Sequence, residues 1–193
     1  VDHGMWLDEG RHILLGMEPD PVTYGLGQAA IKGDQQSLAL LTGANSGGKT
    51  TLLECMAYAC ILGHMGLPVP AKRARIGKVE ALHILAKAGG TQSAGALEQT
   101  LVELATVVSD PTPKLILADE LEAITEPGAG ARIIAGMLLA AEAQKDTTML
   151  LVTHLAPAIL AATERDDLRV DGIEASGPVS YTHLTLPTRY RVV

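Results

Sequence analysis

The residues with the clearest chemistry are Gly43-Ala44-Asn45-Ser46-Gly47-Gly48-Lys49-Thr50, which fit the phosphate-loop pattern Gly-x4-Gly-Lys-Thr/Ser. Glycines reach left-handed backbone angles and let the main chain approach an anion closely. Successive backbone N–H groups then form a concave nest for negative charge. A helix opening near Lys49 adds the positive end of its dipole. In such a site Lys49 reaches the β- and γ-phosphates of a nucleotide, and the Thr50 hydroxyl ligates Mg²⁺. At ordinary residue usage the bare pattern arises by accident in about one chain in a hundred of this length. Here an apolar run precedes it, and Leu52, Leu53, Met56 and Ala57 follow at helical spacing.

A second constellation lies downstream. Lys114–Ala118 is an apolar, strand-like run ending in Asp119-Glu120. An acidic pair after a buried strand suits two tasks. One carboxylate holds Mg²⁺, directly or through water, and the other orients or deprotonates an attacking water. Alone the pair is a weak signal, since many loops begin with acids; downstream of a phosphate loop it is a strong one. Thr148–Val152 is another apolar run, followed by Thr153-His154. A histidine at the carboxyl end of a buried strand points at the crevice where such folds bind ligands. His154 can sense a γ-phosphate there, or be a structural histidine at a strand end. Ser93 opens a helix, where it can receive a phosphate or serve as an ordinary cap. Arg11-His12 can contact a ligand, but a surface pair is the simpler reading. Glu122 and Glu126 read as solvated charges, and Lys72, Arg73 and Arg75 as a solvated basic loop. His64 sits near a helix C-terminus, a dipole-compatible place that needs no catalytic role.

These groups need elements to position them. Ser37–Leu41 is the expected strand before the loop, and Lys49–Met65 the helix after it, stopped by Gly66, Pro68 and Pro70. Ala71–Gly77 reads as a loop and Val79–Ala86 as a strand. Leu97, Leu101, Leu104 and Val108 repeat at helical spacing within a helix over Ser93–Val108. Pro127 begins a further helix, and its stretch Ala129–Ala143 is nearly all apolar, so the helix is expected to be largely buried. Leu155–Thr163 is a short helix and Leu168–Ile173 a last strand. Alternating buried strands and crossover helices imply a largely parallel sheet with helices on both faces. Upstream, Met5-Trp6-Leu7, His12–Leu15 and Val22–Leu26 are strand-like pieces suited to a small antiparallel sheet beside the nucleotide.

Composition narrows the partners. The 193 residues suit one domain or part of a larger protein, and 47% are apolar, enough for a sizeable core. With no Phe and one Trp, that core is aliphatic, and stacking platforms for single-stranded nucleic acid are not expected. A net charge of −7 argues against a surface that grips duplex DNA directly. Cys55 and Cys60 share one helix without metal-ligand spacing, so they read as reduced core residues of a cytoplasmic protein. No secretory signal is visible, no apolar run reaches membrane-spanning length, and no membrane partner is expected. The chain begins at Val1, so it is read as a fragment of a longer protein.

In their order and spacing, Gly43–Thr51, Ser93, Leu115–Glu120 and Thr153-His154 resemble the ATPase domain of the MutS family, a branch of the ABC-type ATPases. The loop is similar to that family's Gly-Pro-Asn-Met-Gly-Gly-Lys-Ser-Thr. Val69-Pro70-Ala71 with Ile76-Gly77, and Arg11-His12, look like further family segments, so the likeness runs from about Arg11 to Gly172. The resemblance implies an α/β fold, a P-loop NTPase of ABC type with a largely parallel central sheet, helices on both faces and a small antiparallel N-terminal sheet. It implies a Mg²⁺-dependent ATPase with ATP and Mg²⁺ as its ligands. Gly43, Ala44, Asn45, Ser46, Gly47, Gly48, Lys49, Thr50 and Thr51 would bind nucleotide, and Thr50 and Asp119 would hold the metal. Glu120 would be the catalytic carboxylate and His154 the γ-phosphate sensor, with Lys49 assisting. Ser93 would complete the site of the opposite subunit, giving a homodimer with two composite ATP sites. DNA would be engaged through domains outside this chain, in mismatch repair or recombination.

Some positions depart from the family. Ser93-Ala94-Gly95-Ala96 replaces Ser-Thr-Phe-Met, although Glu98 is retained. Leu121–Gly128 replaces the Gly-Arg-Gly-Thr that follows Asp-Glu. These changes look more like divergent, archaeal MutS-related proteins. Val179–Thr188 resembles a translated transposon-type sequencing adapter. Residues 1–178 are therefore expected to be the domain and 179–193 a non-native read-through tail, with a genuine extended tail as the alternative. Two other functions compete. A small-molecule kinase would need a lid and an acceptor pocket, and no arginine-rich lid is evident between Asp119 and His154. A non-hydrolysing assembly module would have little reason to keep Lys49, Asp119 and Glu120.

Overall fold

The computed structural model describes residues 3–16, 19–31, 35–44, 48–86, 94–121, 126–165, 167–176 and 183–185. The apolar stretches become strands β3 (Leu38–Gly43), β5 (Ala81–Leu85), β6 (Lys114–Asp119), β7 (Thr147–Val152) and β8 (Arg169–Ser176). They pair in parallel in the order β5-β6-β7-β3-β8, and β9 (His183–Thr185) joins β8 antiparallel. The crossovers are α1 (Lys49–His64), α2 (Ala94–Ser109), α3 (Pro127–Glu142) and α4 (Ala156–Thr163).

The strands are apolar at both parities because both faces of the sheet are covered. Ala39, Leu41, Leu115, Leu117, Leu150 and Val152 pack on one side with Leu52, Leu53, Met56 and Cys60 of α1. Leu38, Leu40, Ile116, Ala118, Met149 and Leu151 pack on the other with side chains of α2, α3 and α4. Burying one such Leu or Met contributes about 1.5–3 kcal/mol. Helix α3, expected to be largely buried, packs one face inward. Ala131, Ile134, Met137, Leu138 and Ala141 face the core, while Leu139 is 46% exposed. Burial pushes the Cys55 and Cys60 thiols up to about 11, so both stay protonated at neutral pH. Among the described residues no helix is long and apolar enough to cross a membrane.

Helix α1 stops for a local reason. The Gly66 N–H bonds to the Gly63 carbonyl and the Leu67 N–H to the Leu62 carbonyl, with Gly66 at φ +70°. This is the paired closure that glycine allows past a helix end. His64 accepts the Val79 N–H at Nε2, 3.1 Å away, leaving Nδ1–H to donate to the Cys60 carbonyl at 2.8 Å. Its role is thus structural, as the sequence suggested.

The small sheet has the order β2-β1-β4, built from β1 (Met5–Gly10), β2 (Val22–Leu26) and β4 (Arg73–Ile76), all antiparallel. Its third strand corrects the expected loop at Ala71–Gly77. Lys-Arg-Ala-Arg has no apolar alternation to announce a strand, but β1 supplies a backbone ladder from Met5↔Ile76 to Asp8↔Arg73. The basic side chains remain exposed and pair locally, Lys72 with Glu9 at 2.6 Å and Arg73 with Asp8 at 2.8 Å. The Arg73 guanidinium also lies 5.6 Å from the Trp6 ring. The Arg73 hydrogen bond holds the Asp8 carboxyl below its usual range.

His12–Leu15, expected as a strand piece, is a turn, and His12 is not a surface residue. It is 5% exposed, with Nε2 2.9 Å from the Glu54 carboxylate and its ring edge-on to Tyr58 at 5.4 Å. Nδ1 accepts the Leu14 N–H at 3.2 Å, which curls the chain and leaves Nε2–H to donate to Glu54. Arg11 is the exposed member, bonding to the Pro19 carbonyl at 2.7 Å. His12 therefore pins the first loop onto α1. His12→Ala is expected to destabilise the fold by about 2 kcal/mol, from the cavity and the lost bonds. A urea midpoint unchanged from the parent would refute that role.

Candidate functional site

The phosphate loop leaves the carboxyl end of β3, and the acidic pair ends β6. Between β3 and β6 lies β7, which carries Thr153-His154 at the same end. Register fixes this convergence: Leu41 pairs with Val152, and Val152 with Asp119. Three segments far apart in sequence thus present their polar ends along one edge of the sheet, where open α/β sheets bind ligands.

Two glycines show why the loop needs them. Gly43 has φ +149°, and a Cβ there would lie 2.2 Å from the Ile173 carbonyl oxygen of β8. Gly48 caps α1 at φ +80°, ψ +15°, a left-handed conformation. From the first turn of α1, Lys49 folds back under the loop and is only 4% exposed. Its ammonium donates to the Gly43 and Ala44 carbonyls, each at 2.8 Å. Those bonds use two of its three donors. Asn45, Ser46 and Gly47 lie outside the described residues.

The next residue meets the acidic pair. The Thr50 hydroxyl donates to Asp119 Oδ2 at 2.8 Å, joining the start of α1 to the end of β6. Thr51 follows on α1, half-buried. Glu120 then turns sharply. Its φ is +48°, unusual for a residue with a side chain, and its N–H bonds to the Val152 carbonyl at 3.0 Å. The turn brings Glu120 Oε1 to 2.9 Å from His154 Nε2. Thr153, fully buried, anchors the histidine: its N–H bonds to the Leu41 carbonyl at 3.0 Å and its hydroxyl accepts the Leu155 N–H at 3.0 Å. Thr50–Asp119 and Glu120–His154 are therefore two contacts of one continuous edge. Ser93 lies outside the described residues, so its placement against this edge stays an expectation.

The donor set suits Mg²⁺ held jointly with phosphates. One hydroxyl and one carboxylate are what that ion takes from protein when phosphate oxygens and waters supply the rest. Among the described residues no group of three or more His, Cys, Asp or Glu is placed to hold a metal. The loop, with left-handed Gly48 at a helix start and Lys49 beneath it, suits polyphosphate.

A family model for MutS domain V matches residues 39–178, most of the chain and every described part of this edge. The chain belongs to the MutS family. It is 40% identical over 180 residues to the DNA-binding protein MutS2 of Pyrococcus furiosus, covering 92% of this chain and 31% of that protein. It is 31% identical over 202 residues to the DNA mismatch repair protein MutS of Desulfovibrio desulfuricans, covering 97% and 21%. It is 33% identical over 164 residues to the mitochondrial DNA mismatch repair protein MSH1 of Arabidopsis thaliana, covering 79% and 15%. The chain thus spans a third or less of the length of these relatives.

One group near the site escaped sequence reasoning. Tyr24 of β2, only 3% exposed, donates its hydroxyl to Asp171 of β8 at 2.7 Å, and Arg169 stacks over the Tyr24 ring at 5.2 Å. Burial, then the neighbouring Asp171 carboxylate, pushes the Tyr24 phenol well above its ordinary range, so it remains the donor. The available signal was Arg169 and Asp171 at alternate positions of a strand, which puts two opposite charges on one face.

Proposed function

We propose that this chain is the Mg²⁺-dependent ATPase module of a MutS-like DNA repair or recombination protein. The observation that carries the reading is the Thr50–Asp119 contact at 2.8 Å beside the Glu120–His154 contact at 2.9 Å. Metal-holding and water-activating groups then stand side by side at the mouth of a phosphate loop. Mg²⁺, when bound, would neutralise charge on the phosphates. The chain's own residues do the rest. Lys49, with a further N–H to give, would bind the phosphate oxygens from below, and Gly48 with the first turn of α1 would present backbone N–H groups from the side. Glu120 would accept a proton from the attacking water, and His154 would hold that carboxylate in line. The acceleration would come from positioning and charge stabilisation.

The family supplies the coupling. Relatives named for DNA binding and mismatch repair are three times this chain's length or more, so DNA would be engaged by other domains of the parent protein. The acidic net charge of −7 agrees with that division of labour. Higher identity to the MutS2 protein, at 40%, than to the mismatch repair protein, at 31%, supports a divergent branch rather than a mismatch sensor. ATP would bridge two subunits through Ser93 of each, so that binding closes a homodimer and hydrolysis reopens it. Residues 179–193 would be a read-through tail with no part in this cycle.

The test is the mass in solution of the chain carrying Glu120→Gln, with and without Mg-ATP. A shift from monomer to dimer that vanishes on adding Lys49→Ala or Ser93→Ala is expected. A chain that binds Mg-ATP tightly yet stays monomeric would refute the composite site.

A further inference from the structure

The phosphate loop starts at Gly43, and what fixes Gly43 is β8. The parallel register runs Leu41↔Asp171, Thr42↔Gly172 and Gly43↔Ile173. The last pair is so close that the Ile173 carbonyl occupies the space of a Gly43 Cβ. A shift of β8 along or away from β3 therefore moves the loop's first residue directly, with no side chain between to absorb it.

Two positions before that contact, β8 is tied to the small N-terminal sheet through partly buried polar groups. Asp171 accepts the Tyr24 hydroxyl at 2.7 Å and pairs with the Arg169 guanidinium at 2.8 Å. Arg169, 9% exposed, also donates to the Gly25 carbonyl at 2.9 Å and stacks on the Tyr24 ring. Its backbone N–H bonds to the Gln36 side chain at 2.9 Å, next to the start of β3. A partly buried ion pair is a poor source of net stability, because desolvation offsets much of the attraction. Apolar side chains of the same volume would join the two sheets at least as firmly. They would not fix one register, whereas a hydroxyl, a carboxylate and a guanidinium with directed bonds do.

We infer that Tyr24 and Asp171 are positioning residues for the phosphate loop, setting β8 against β3 and so the place of Gly43. The small sheet thereby acts on nucleotide binding without touching nucleotide. This role rests on the ATPase reading for its functional consequence, but not for its structural one.

The experiment compares Tyr24→Phe, which removes only the hydroxyl, with Ile159→Val, a core substitution in α4 on the opposite face of the sheet. Two readouts are taken on the full chain: amide hydrogen exchange across 39–44, and affinity for a fluorescent Mg-ATP analogue. Tyr24→Phe is expected to speed exchange at Thr42–Ala44 and weaken nucleotide binding, each about five- to tenfold, the loss of one partly buried hydrogen bond. Ile159→Val, lowering global stability by a similar amount, is expected to leave both within twofold. Asp171→Asn, which keeps an oxygen acceptor for the Tyr24 hydroxyl, should fall between. Exchange unchanged in Tyr24→Phe, or changed without any loss of affinity in a chain that binds nucleotide, overturns the inference. A parent chain that binds no Mg-ATP would instead sink the ATPase reading, with exchange alone deciding whether Tyr24 positions the loop.

Discussion

Glu120→Gln is expected to cut ATP turnover by about two to four orders of magnitude while leaving Mg-ATP binding within a few-fold of the parent. The substitution keeps shape and volume. The Gln carbonyl oxygen still accepts from His154, so the 2.9 Å contact and the left-handed turn at φ +48° are preserved. What is lost is the proton acceptor. Phosphate release under saturating Mg-ATP, with affinity followed by a fluorescent nucleotide, separates the two quantities. Turnover within tenfold of the parent would mean that a group other than Glu120 activates the water.

Gly43→Ala is expected to be among the most damaging single methyls at the described glycines. It places a Cβ 2.2 Å from a backbone carbonyl oxygen that belongs to a neighbouring strand and cannot rotate away, at a φ of +149° that side chains rarely adopt. Strain of this kind costs at least about 2 kcal/mol, or about 4–8 °C in Tm for a chain of this size. Relief by moving the loop would also weaken nucleotide binding. Gly136→Ala is the contrast, since a Cβ on that exposed helical glycine meets nothing within 4 Å. It should stabilise by about 0.5–1 kcal/mol through helix propensity. Thermal melts of the pair, run together, check both signs; a Gly43→Ala protein that melts with the parent would refute the tight β3–β8 contact.

Much of this was legible in the chain. Loop, acidic pair and histidine each follow an apolar run, and such runs become neighbouring buried strands when crossover helices separate them. Glu120–His154 and Thr50–Asp119 needed only that convergence. Helix α1 was legible to its last turn because Gly66 and Pro68 act locally. The errors have one cause. Lys72–Arg75 looked like a loop because its strand character comes from the β1 backbone. Arg11-His12 looked like a surface pair because nothing near His12 in sequence predicts Glu54 and Tyr58 around it.

By itself, then, the sequence determined which atoms can do chemistry and the elements that carry them, since those depend on residue type and short periodicity. Only the tertiary structure decided which strand sits beside which. That choice put β7 between β3 and β6, pressed Ile173 against Gly43 and brought Tyr24 of one sheet to Asp171 of another. Such contacts join residues far apart along the chain. They are set by closure of the whole core, and no local pattern encodes them.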